Sequence, residues 1–198
     1  MRDQWYGDDR DLVKWGTLIH IARRDQRSTI LHIALYRPDD DWAALHSSRG
    51  KVDIPTEVIR HFRNLDTIHR LAKTSGVRIE VFKAPFRNRS AYFEKARLRI
   101  EKLSADSLVV FLDPDTGLAA QAAGREHVSA DDVRSVFEIM AEGDVLVCYQ
   151  RARRQKDWRG DKRRALARAL GVVSREVEVF DSELASDVVL FAATKKGR

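Results

Sequence analysis

Apolar residues recur along this chain in two alternating patterns, one with helical spacing and one of short continuous runs. Between Leu12 and Ala22 they return every three or four positions, which predicts an amphipathic helix with Asp8 or Asp9 as its cap. The next run, STILHIALY at 28–36, is rich in β-branched residues and predicts a strand. The same alternation continues to the end of the chain.

The remaining elements follow from the same two patterns. Further helices are predicted from Pro55 to Lys73, over 90–103 with Ser90 as cap, from Ser129 to Gly143, and over 161–170 before Gly171. Further strands are predicted at 77–82, 107–112 and 144–149. The tail holds two more apolar runs, REVEVF and SDVVLFAAT, whose short connection predicts an antiparallel hairpin.

Strands that alternate with helices and are apolar throughout are typical of a parallel sheet covered on both faces. We therefore predict an α/β fold, a Rossmann-like three-layer sandwich whose mostly parallel sheet ends in a C-terminal antiparallel hairpin. A chain of 198 residues suits one domain, 1–198, and no repeat or linker interrupts it. No run reaches the roughly 18 apolar residues of a membrane span, and the N-terminus is too polar for a signal peptide, so we expect a cytoplasmic protein.

The stretch FLDPDTGL at 111–118 places two carboxylates, Asp113 and Asp115, directly after a predicted strand. Tyr149 and Gln150 follow the next strand in the same way, and open parallel sheets bind ligands at these strand ends. One interpretation is a turn in which Asp113 is a cap and Gly117 supplies a positive φ. The other is a site whose carboxylates orient an amino or hydroxyl group, act as a base, or hold a divalent cation.

A second acidic stretch, YGDDRDLVKW at 6–15, lies at the start of the first predicted helix. Asp11 and Lys14 are three residues apart and can pair on one helical face, which is the structural interpretation. The functional alternative is a metal-dependent nuclease, in which carboxylates share one crevice and Lys14 lies near the nucleophile. The carboxylates of that alternative are Asp8, Asp11, Asp39, Asp113 and Asp115.

Positive charge is concentrated in RARRQKDWRGDKRR at 151–164. This segment has eight basic and two acidic residues, so its net charge of +6 equals that of the whole chain. Basic side chains around an aromatic residue, Trp158, are frequent in nucleic-acid-binding proteins. The alternative is a solvated helix face that Trp158 anchors to the core.

The histidines and the single cysteine argue against some chemistries. No histidine has a ligand spacing with another histidine or with cysteine, which makes a structural zinc site unfavourable. His20 and His32 lie within apolar patterns and are predicted to be hydrogen-bonded core residues. Cys148 has the apolar neighbours of a buried, unreactive thiol.

Three of these stretches together resemble a group of small bacterial proteins. YGDDRDLVKWG, FLDPDTGL and VLVCYQ are similar to that group's patterns, Y-x-G-D-x-x-D-x-x-K-[YW]-G near the start and L-D-P-D-x-G-L after a central strand. The group in turn resembles, more distantly, the ribosomal-RNA adenine-N6 methyltransferases. Those enzymes carry an aromatic, Asn/Asp and Lys segment before the first strand and D-P-P-Y after the fourth.

The resemblance implies a methyltransferase-like sheet and S-adenosylmethionine as cofactor. Asp113 and Pro114 match the first two positions of D-P-P-Y, where the acid accepts a hydrogen bond from the target amino group. Asp115 and Thr116 replace the last two positions, so the aromatic residue that stacks on the base is missing. A second departure is the turn ALYRPDDDW after the first strand, which has no glycine before Gly50. The implied cofactor contacts are Tyr6, Gly7, Asp8 and Asp39.

We therefore predict an enzyme that acts on nucleic acid or a nucleotide at an Asp-rich crevice. Asp113 would hold or deprotonate the reacting group, and Asp115 would assist. The opposite wall would be formed by Asp8, Asp11 and Lys14. The predicted nucleic-acid contacts are Arg151, Arg153, Arg154, Trp158, Arg159, Lys162 and Arg163. A metal-dependent nuclease or phosphodiesterase and a non-catalytic nucleic-acid-binding module remain alternatives. If the site interpretation holds, Asp113→Asn is expected to remove activity and leave the melting temperature nearly unchanged.

Overall fold

The structure is a computed structural model that describes residues 7–36, 45–47, 50–52, 65–119, 122–152 and 157–197. The helices are α1 (Asp9–Arg24), α2 (His69–Ser75), α3 (Arg89–Lys102), α4 (Ala130–Ile139) and α5 (Trp158–Leu170). The strands are β1 (Thr29–Ile33), β2 (Leu45–Ser47), β3 (Gly50–Val52), β4 (Arg78–Phe82), β5 (Leu108–Leu112), β6 (Gly117–Leu118), β7 (His127–Val128), β8 (Val145–Arg151), β9 (Glu178–Phe180) and β10 (Val188–Thr194). Short 3₁₀ turns lie at Leu65–Ile68, Ser174–Glu176 and Glu183–Ala185.

In the described part of the chain the central sheet has the strand order β4-β1-β5-β8-β10-β9. β1 pairs in parallel with β4 and β5, and β5 pairs in parallel with β8. β10 lies antiparallel between β8 and β9. The predicted Rossmann-like α/β fold, with a mostly parallel sheet that ends in a C-terminal antiparallel hairpin, is therefore confirmed.

The chain reverses its direction of travel across the sheet at β1. It passes from β1 to β4 on one side and returns to β5 on the other side. The carboxyl ends of β1 and β5 thus flank a topological switch point, which is where open α/β sheets bind ligands. Both strands are buried along their whole length, as continuous apolar runs in a parallel sheet require.

Helices cover both faces of the sheet and form two apolar cores. On one face α1 packs over the sheet through residues that include Leu18, Ile21, Phe111, Val147 and Leu190. On the other face α3, α4 and α5 pack over it through residues that include Phe93, Val110, Val136, Leu166 and Phe191. Strand residues alternate between these cores because successive side chains of a strand point to opposite faces.

Helix ends follow local capping chemistry, with two differences from the sequence prediction. Asp8 and Ser129 cap α1 and α4 as predicted, and Gly171 ends α5 in a left-handed conformation. The cap of α3 is Asn88, whose side chain accepts from the Ala91 N–H, so the prediction of Ser90 is wrong. Asn88 lies two residues before Ser90, and its side chain satisfies one of the free N–H groups at the start of the helix.

The other difference concerns the helices that were predicted to end at Gly143 and Lys73. α4 ends at Ile139, and Gly143 lies in the following turn with a φ of 87°. Of the helix predicted from Pro55 to Lys73, residues 55–64 lie outside the described part. Its described end is the 3₁₀ turn at 65–68 followed by α2.

The loop after β5 is held from the α5 side of the sheet by Gln150. Its amide oxygen accepts from the Leu118 N–H at 3.0 Å, and its amide nitrogen donates to the Thr116 carbonyl at 2.8 Å. Lys162 of α5 donates to the Leu118 carbonyl. Gly117 has a φ of 110°, and a Cβ there would lie only 2.4 Å from the Gln150 amide oxygen. The glycine lets Gln150 close over the loop.

We expect Gly117→Ala to lower the free energy of unfolding by about 1–3 kcal/mol, because it combines a strained φ with a clash. Gly16→Ala is the matched control, since a Cβ at Gly16 of α1 meets nothing within 4 Å. The control should raise stability by up to about 1 kcal/mol, the helix-propensity difference between alanine and glycine. Urea denaturation measures both, and equal effects would show that Gln150 does not constrain the loop.

Candidate functional site

Asp113 lies immediately after β5, beside the switch point. Its N–H donates to the Ile33 carbonyl at the end of β1 at 3.1 Å, so the backbone is still paired to the neighbouring strand. Phe111 points into the core under α1, and the side chain two residues later points to the same face. The Asp113 carboxylate is therefore directed under α1 and is only 1% exposed.

Lys14 of α1 meets this carboxylate from above the sheet. Its Nζ lies 3.0 Å from Asp113 Oδ1 and 3.2 Å from Asp11 Oδ1, and 4.4 Å from the centre of the Tyr149 ring. Lys14 and Asp11 are both buried. The structure thus brings together three of the predicted site residues, Asp11, Lys14 and Asp113, and adds Tyr149 from the end of β8.

His32 of β1 completes the cluster. Its Nε2 lies 3.0 Å from Asp113 Oδ2, so the two carboxylate oxygens have different partners. The His32 ring stacks on Phe111 at 5.1 Å and meets the edge of Trp15 at 5.3 Å. The prediction of a hydrogen-bonded core residue is confirmed for His32, although its partner was not foreseen. The prediction is wrong for His20, which is exposed on α1. We call Asp11, Lys14, His32 and Asp113 the Asp113 cluster.

The electrostatics of the cluster fix the charges on its central pair. Burial alone would raise the pKa of Asp113, but the Lys14 charge and the His32 hydrogen bond hold it well below the usual carboxyl range. Burial acts to lower the pKa of Lys14, but Asp113 and Asp11 outweigh it and raise the pKa above the usual lysine range. Lys14 and Asp113 therefore form a buried, ionised pair.

The other two ionisable groups respond differently. Burial raises the pKa of Asp11, and although Lys14 opposes this shift, Asp113 adds to it. Burial also raises the pKa of Tyr149 to about 12, which keeps its hydroxyl protonated at neutral pH. As the pH falls, Asp11 is thus expected to take up a proton before Asp113, which stays ionised to lower pH.

Local structure at the start of α1 explains how Asp11 and Lys14 are delivered. The Asp8 side chain caps α1 by accepting from the Asp11 N–H, and the Gly7 N–H donates to Asp11 Oδ2 at 2.6 Å. Arg10 ties this helix end to Asp187 before β10, with its Nη2 2.8 Å from Asp187 Oδ2. Gly7 and Asp8, predicted as cofactor contacts, are therefore engaged in positioning the helix.

Asp115 and Asp39 are the other predicted acidic residues of the site, and only Asp115 is described. Asp115 is half-buried in the loop after β5, but it is not one of the carboxylates that contact Lys14. Tyr6 and Asp39 lie outside the described residues. Within the described residues, no three histidine, cysteine or carboxylate side chains are grouped closely enough to hold a metal ion.

The described side chains of the basic segment are mostly engaged in internal contacts. Trp158 is 8% exposed and packs in the core, as its structural alternative predicted, and the Arg159 guanidinium covers its ring at 4.9 Å. Lys162 is buried on the Leu118 carbonyl, and Arg163 Nε donates to the Val177 carbonyl at 2.7 Å. These side chains link α5 to its surroundings instead of facing a ligand.

Arg151 and Arg159 are the predicted basic contacts that reach the surface. Arg151, at the end of β8, is exposed and lies 3.5 Å from Asp187. Arg159 Nη2 donates to the Ser186 carbonyl at 3.0 Å. Arg153 and Arg154 lie outside the described residues. The described basic residues therefore present less free positive charge than the composition indicates.

The turn after β1 bears on the cofactor that the resemblance implies. The Ala34 N–H donates to the Phe82 carbonyl at 3.2 Å, and the Leu35 N–H donates to the Tyr92 hydroxyl at 2.9 Å. Leu35 has a φ of 44°, a conformation that glycine adopts without strain. A Rossmann-type nucleoside site needs glycines and available N–H groups at this turn. The described residues of the turn therefore do not fit S-adenosylmethionine.

Comparisons with known proteins add little beyond this geometry. No family model matches the sequence, and no curated protein is significantly similar to it. An O-methyltransferase family protein from Burkholderia thailandensis aligns with 96% of this chain at 10% identity and a TM-score of 0.44. A DUF574 family protein from Streptomyces avermitilis aligns with 94% at 13% identity and a TM-score of 0.43. The chain spans 58% of the first structure and 82% of the second.

These two likenesses are too distant to carry a functional argument, so the fold assignment rests on the strand order itself. Among the described helices, none has the length and apolar character needed to cross a membrane.

We expect the buried pair to stabilise the fold only between two pH limits. The pKa of Asp113 is lowered from 3.8, so its contribution is complete above that value and is lost as the pH falls through the folded-state pKa. The pKa of Lys14 is raised from 10.5, so its contribution is complete below that value and is lost as the pH rises through the folded-state pKa. The stability difference between wild type and Lys14→Met should form a plateau and narrow beyond both limits.

Urea denaturation from about pH 3 to pH 11 measures this difference. Lys95→Met is the control, since Lys95 is exposed on α3 and should give a small difference at every pH. A Lys14→Met difference that is equally small across the range would contradict the buried pair.

Burial of Asp113 also changes the stability expected of Asp113→Asn. The sequence predicts an unchanged melting temperature, but the asparagine would leave Lys14 buried with Asp11 as its remaining carboxylate. Breaking a buried pair costs about 3–5 kcal/mol, so we now expect a clear loss in denaturant unfolding. The double variant Lys14→Met/Asp113→Asn should lose less than the sum of the single variants, because they remove the same interaction. Additive losses would show that the two side chains do not interact.

Proposed function

We propose that this chain is an enzyme that acts on a nucleotide or on nucleic acid in the cytoplasm, and that Asp113 binds the substrate by accepting its hydrogen bonds. The observation that carries this proposal is the ionised Asp113 carboxylate, which Lys14 and His32 hold from either side at 3.0 Å. A buried charge of this kind is costly to maintain. Its position beside the switch point is where this class of sheet binds ligands.

The chemistry of the carboxylate favours a substrate with N–H donors. An ionised carboxylate has about four acceptor positions, and Lys14 and His32 take two of them. The exocyclic amino groups of adenine, cytosine and guanine can donate to the others. Because the pKa of Asp113 lies well below its usual range, the residue is a weak base near neutral pH. Its role in this proposal is therefore to bind and orient the amino group.

Charge and fold support the choice of a nucleotide or nucleic acid. The chain carries a net charge of +6. Arg151 lies at the end of β8, next to the strand that leads to Asp113, and its side chain is exposed although it lies 3.5 Å from Asp187. Both features favour an anionic partner. Since the described residues of the turn after β1 do not fit S-adenosylmethionine, we assign that molecule no step.

A metal-dependent nuclease receives less support from the site. The position between Asp11 and Asp113, where a divalent cation would lie, holds the Lys14 ammonium group at 3.2 and 3.0 Å. That ammonium group already neutralises one of the two carboxylate charges, and burial raises the pKa of the other carboxyl group, Asp11. Among the described residues, the Asp113 cluster therefore offers hydrogen-bond acceptors in preference to a set of metal ligands.

Binding of short oligonucleotides tests the role of Asp113. We expect wild type to bind a labelled adenine oligonucleotide about tenfold more tightly than a uracil oligonucleotide, which lacks the exocyclic amino group. Fluorescence anisotropy at fixed salt measures both affinities. Asp113→Asn, shown to be folded by circular dichroism at the assay temperature, should lose the preference. Asp131→Asn is the matched control, because Asp131 is an exposed residue of α4.

Mass spectrometry of the oligonucleotide separates an enzyme from a binding module. The adenine oligonucleotide is incubated with the protein alone, with S-adenosylmethionine, and with Mn²⁺. We expect at least one condition to give a modified or cleaved product with wild type and none with Asp113→Asn. If the oligonucleotide stays intact in every condition and the base preference is retained, the chain is a binding module and the proposal of an enzyme is wrong. Equal affinity for both oligonucleotides would overturn the role of Asp113.

A further inference from the structure

One ring nitrogen of His32 has a hydrogen-bond partner, and the other has none among the described residues. The side chain is fully buried, packed against Phe111 and Trp15. Nε2 lies 3.0 Å from Asp113 Oδ2, whereas Nδ1 is buried and has no hydrogen-bond partner among the described residues. A histidine that only filled space in the core would not need a hydrogen bond between a ring nitrogen and a buried carboxylate.

The hydrogen bonds determine which nitrogen carries the proton. Asp113 is ionised beside Lys14 and has no proton to donate, so the hydrogen bond requires a proton on Nε2. A second proton on Nδ1 would be a buried donor without an acceptor, which is unfavourable. The arrangement is therefore satisfied by the neutral ring with its proton on Nε2.

Two donors then fix the plane of the carboxylate. Lys14 holds Oδ1, His32 holds Oδ2, and the Asp113 N–H is bound to the Ile33 carbonyl. The Lys14 ammonium group is a point charge on a flexible stem and sets little orientation by itself. The His32 ring is held by aromatic neighbours on β5 and α1, so it is the rigid partner.

We propose that His32 is a positioning residue: as the neutral Nε2–H tautomer it fixes the Asp113 carboxylate in the orientation that receives the substrate amino group. The effect on substrate rests on the proposed function of Asp113. The tautomer and the hydrogen bond do not, because they follow from contacts within the protein.

Nitrogen-15 NMR of the histidine side chains tests the tautomer directly. We expect His32 at pH 7 to show a protonated Nε2 and an unprotonated Nδ1, and this pattern should weaken in Asp113→Asn. A proton on Nδ1, alone or together with one on Nε2, would overturn the proposal. This measurement needs no ligand and stands whether or not the chain binds nucleic acid.

Substitutions of His32 test its effect on binding of the adenine oligonucleotide. His32→Leu removes the donor and should weaken binding about tenfold. His32→Gln places an amide N–H near the position of Nε2 and should stay within about twofold of wild type. His20→Leu, at an exposed position of α1, is the control and should leave binding unchanged.

Each outcome separates the two proposals. Rescue by glutamine supports positioning, since a purely structural role would respond to ring volume, which leucine and glutamine replace equally poorly. Equal losses in both variants would overturn it. If wild type does not bind the oligonucleotide but the NMR tautomer is as expected, the proposed function fails and the internal hydrogen bond stands.

Discussion

The buried ion pair between Lys14 and Asp113 is the interaction on which the candidate site depends. It joins α1 to the strand end at the middle of the sheet, and both groups are buried. Isolated charges at these positions would be very costly, so each residue is placed where the other can reach it. The Asp8 cap and the Gly7 contact to Asp11 give α1 a defined start, and Lys14 follows one turn later.

The side chains around the loop that follows β5 lie on opposite faces of the sheet, because successive side chains of a strand alternate between the faces. Asp113 points under α1, while Gln150 of β8 and Lys162 of α5 bind the loop backbone from the opposite face. The Asp113 carboxylate and the two side chains that bind the loop backbone therefore lie on different sides of the sheet. This arrangement fixes the loop without using the acceptor positions of Asp113, two of which are occupied by Lys14 and His32.

Local patterns made α1, the strands of the central sheet and the strand-end location of Asp113 predictable from sequence, but not the short strands β2, β3, β6 and β7. Asp11 and Lys14 are one helical turn apart, and Asp113 directly follows an apolar run, so each signal lies within a few residues. The contact of His32 with Asp113 joins residues 81 positions apart and depends on which strands pair. An apolar strand with one histidine gave no sign of that neighbour.

The basic segment shows the opposite limit of sequence reasoning. Its charge leaves two interpretations open from sequence, a nucleic-acid surface and a solvated helix face anchored by Trp158. In the structure Lys162 and Arg163 donate to backbone carbonyls and Trp158 is buried. Composition does not show which carbonyl groups near a helix lack partners, and long basic side chains can satisfy them. The cap of α3 is a second example. Asn88 and Ser90 are both residue types that cap helices, and the sequence does not show which of them accepts the hydrogen bond from the helix N-terminus.

A carbon-13 NMR titration of the Asp113 side-chain carboxyl group tests the central claim most directly. The account predicts that the resonance keeps the shift of an ionised carboxylate as the pH falls past 3.8, the usual value for aspartate. In Lys14→Met the same resonance should titrate at a higher pH, because burial then acts without the compensating charge. A wild-type Asp113 that titrates at or above the usual value, with no change in Lys14→Met, would contradict the account.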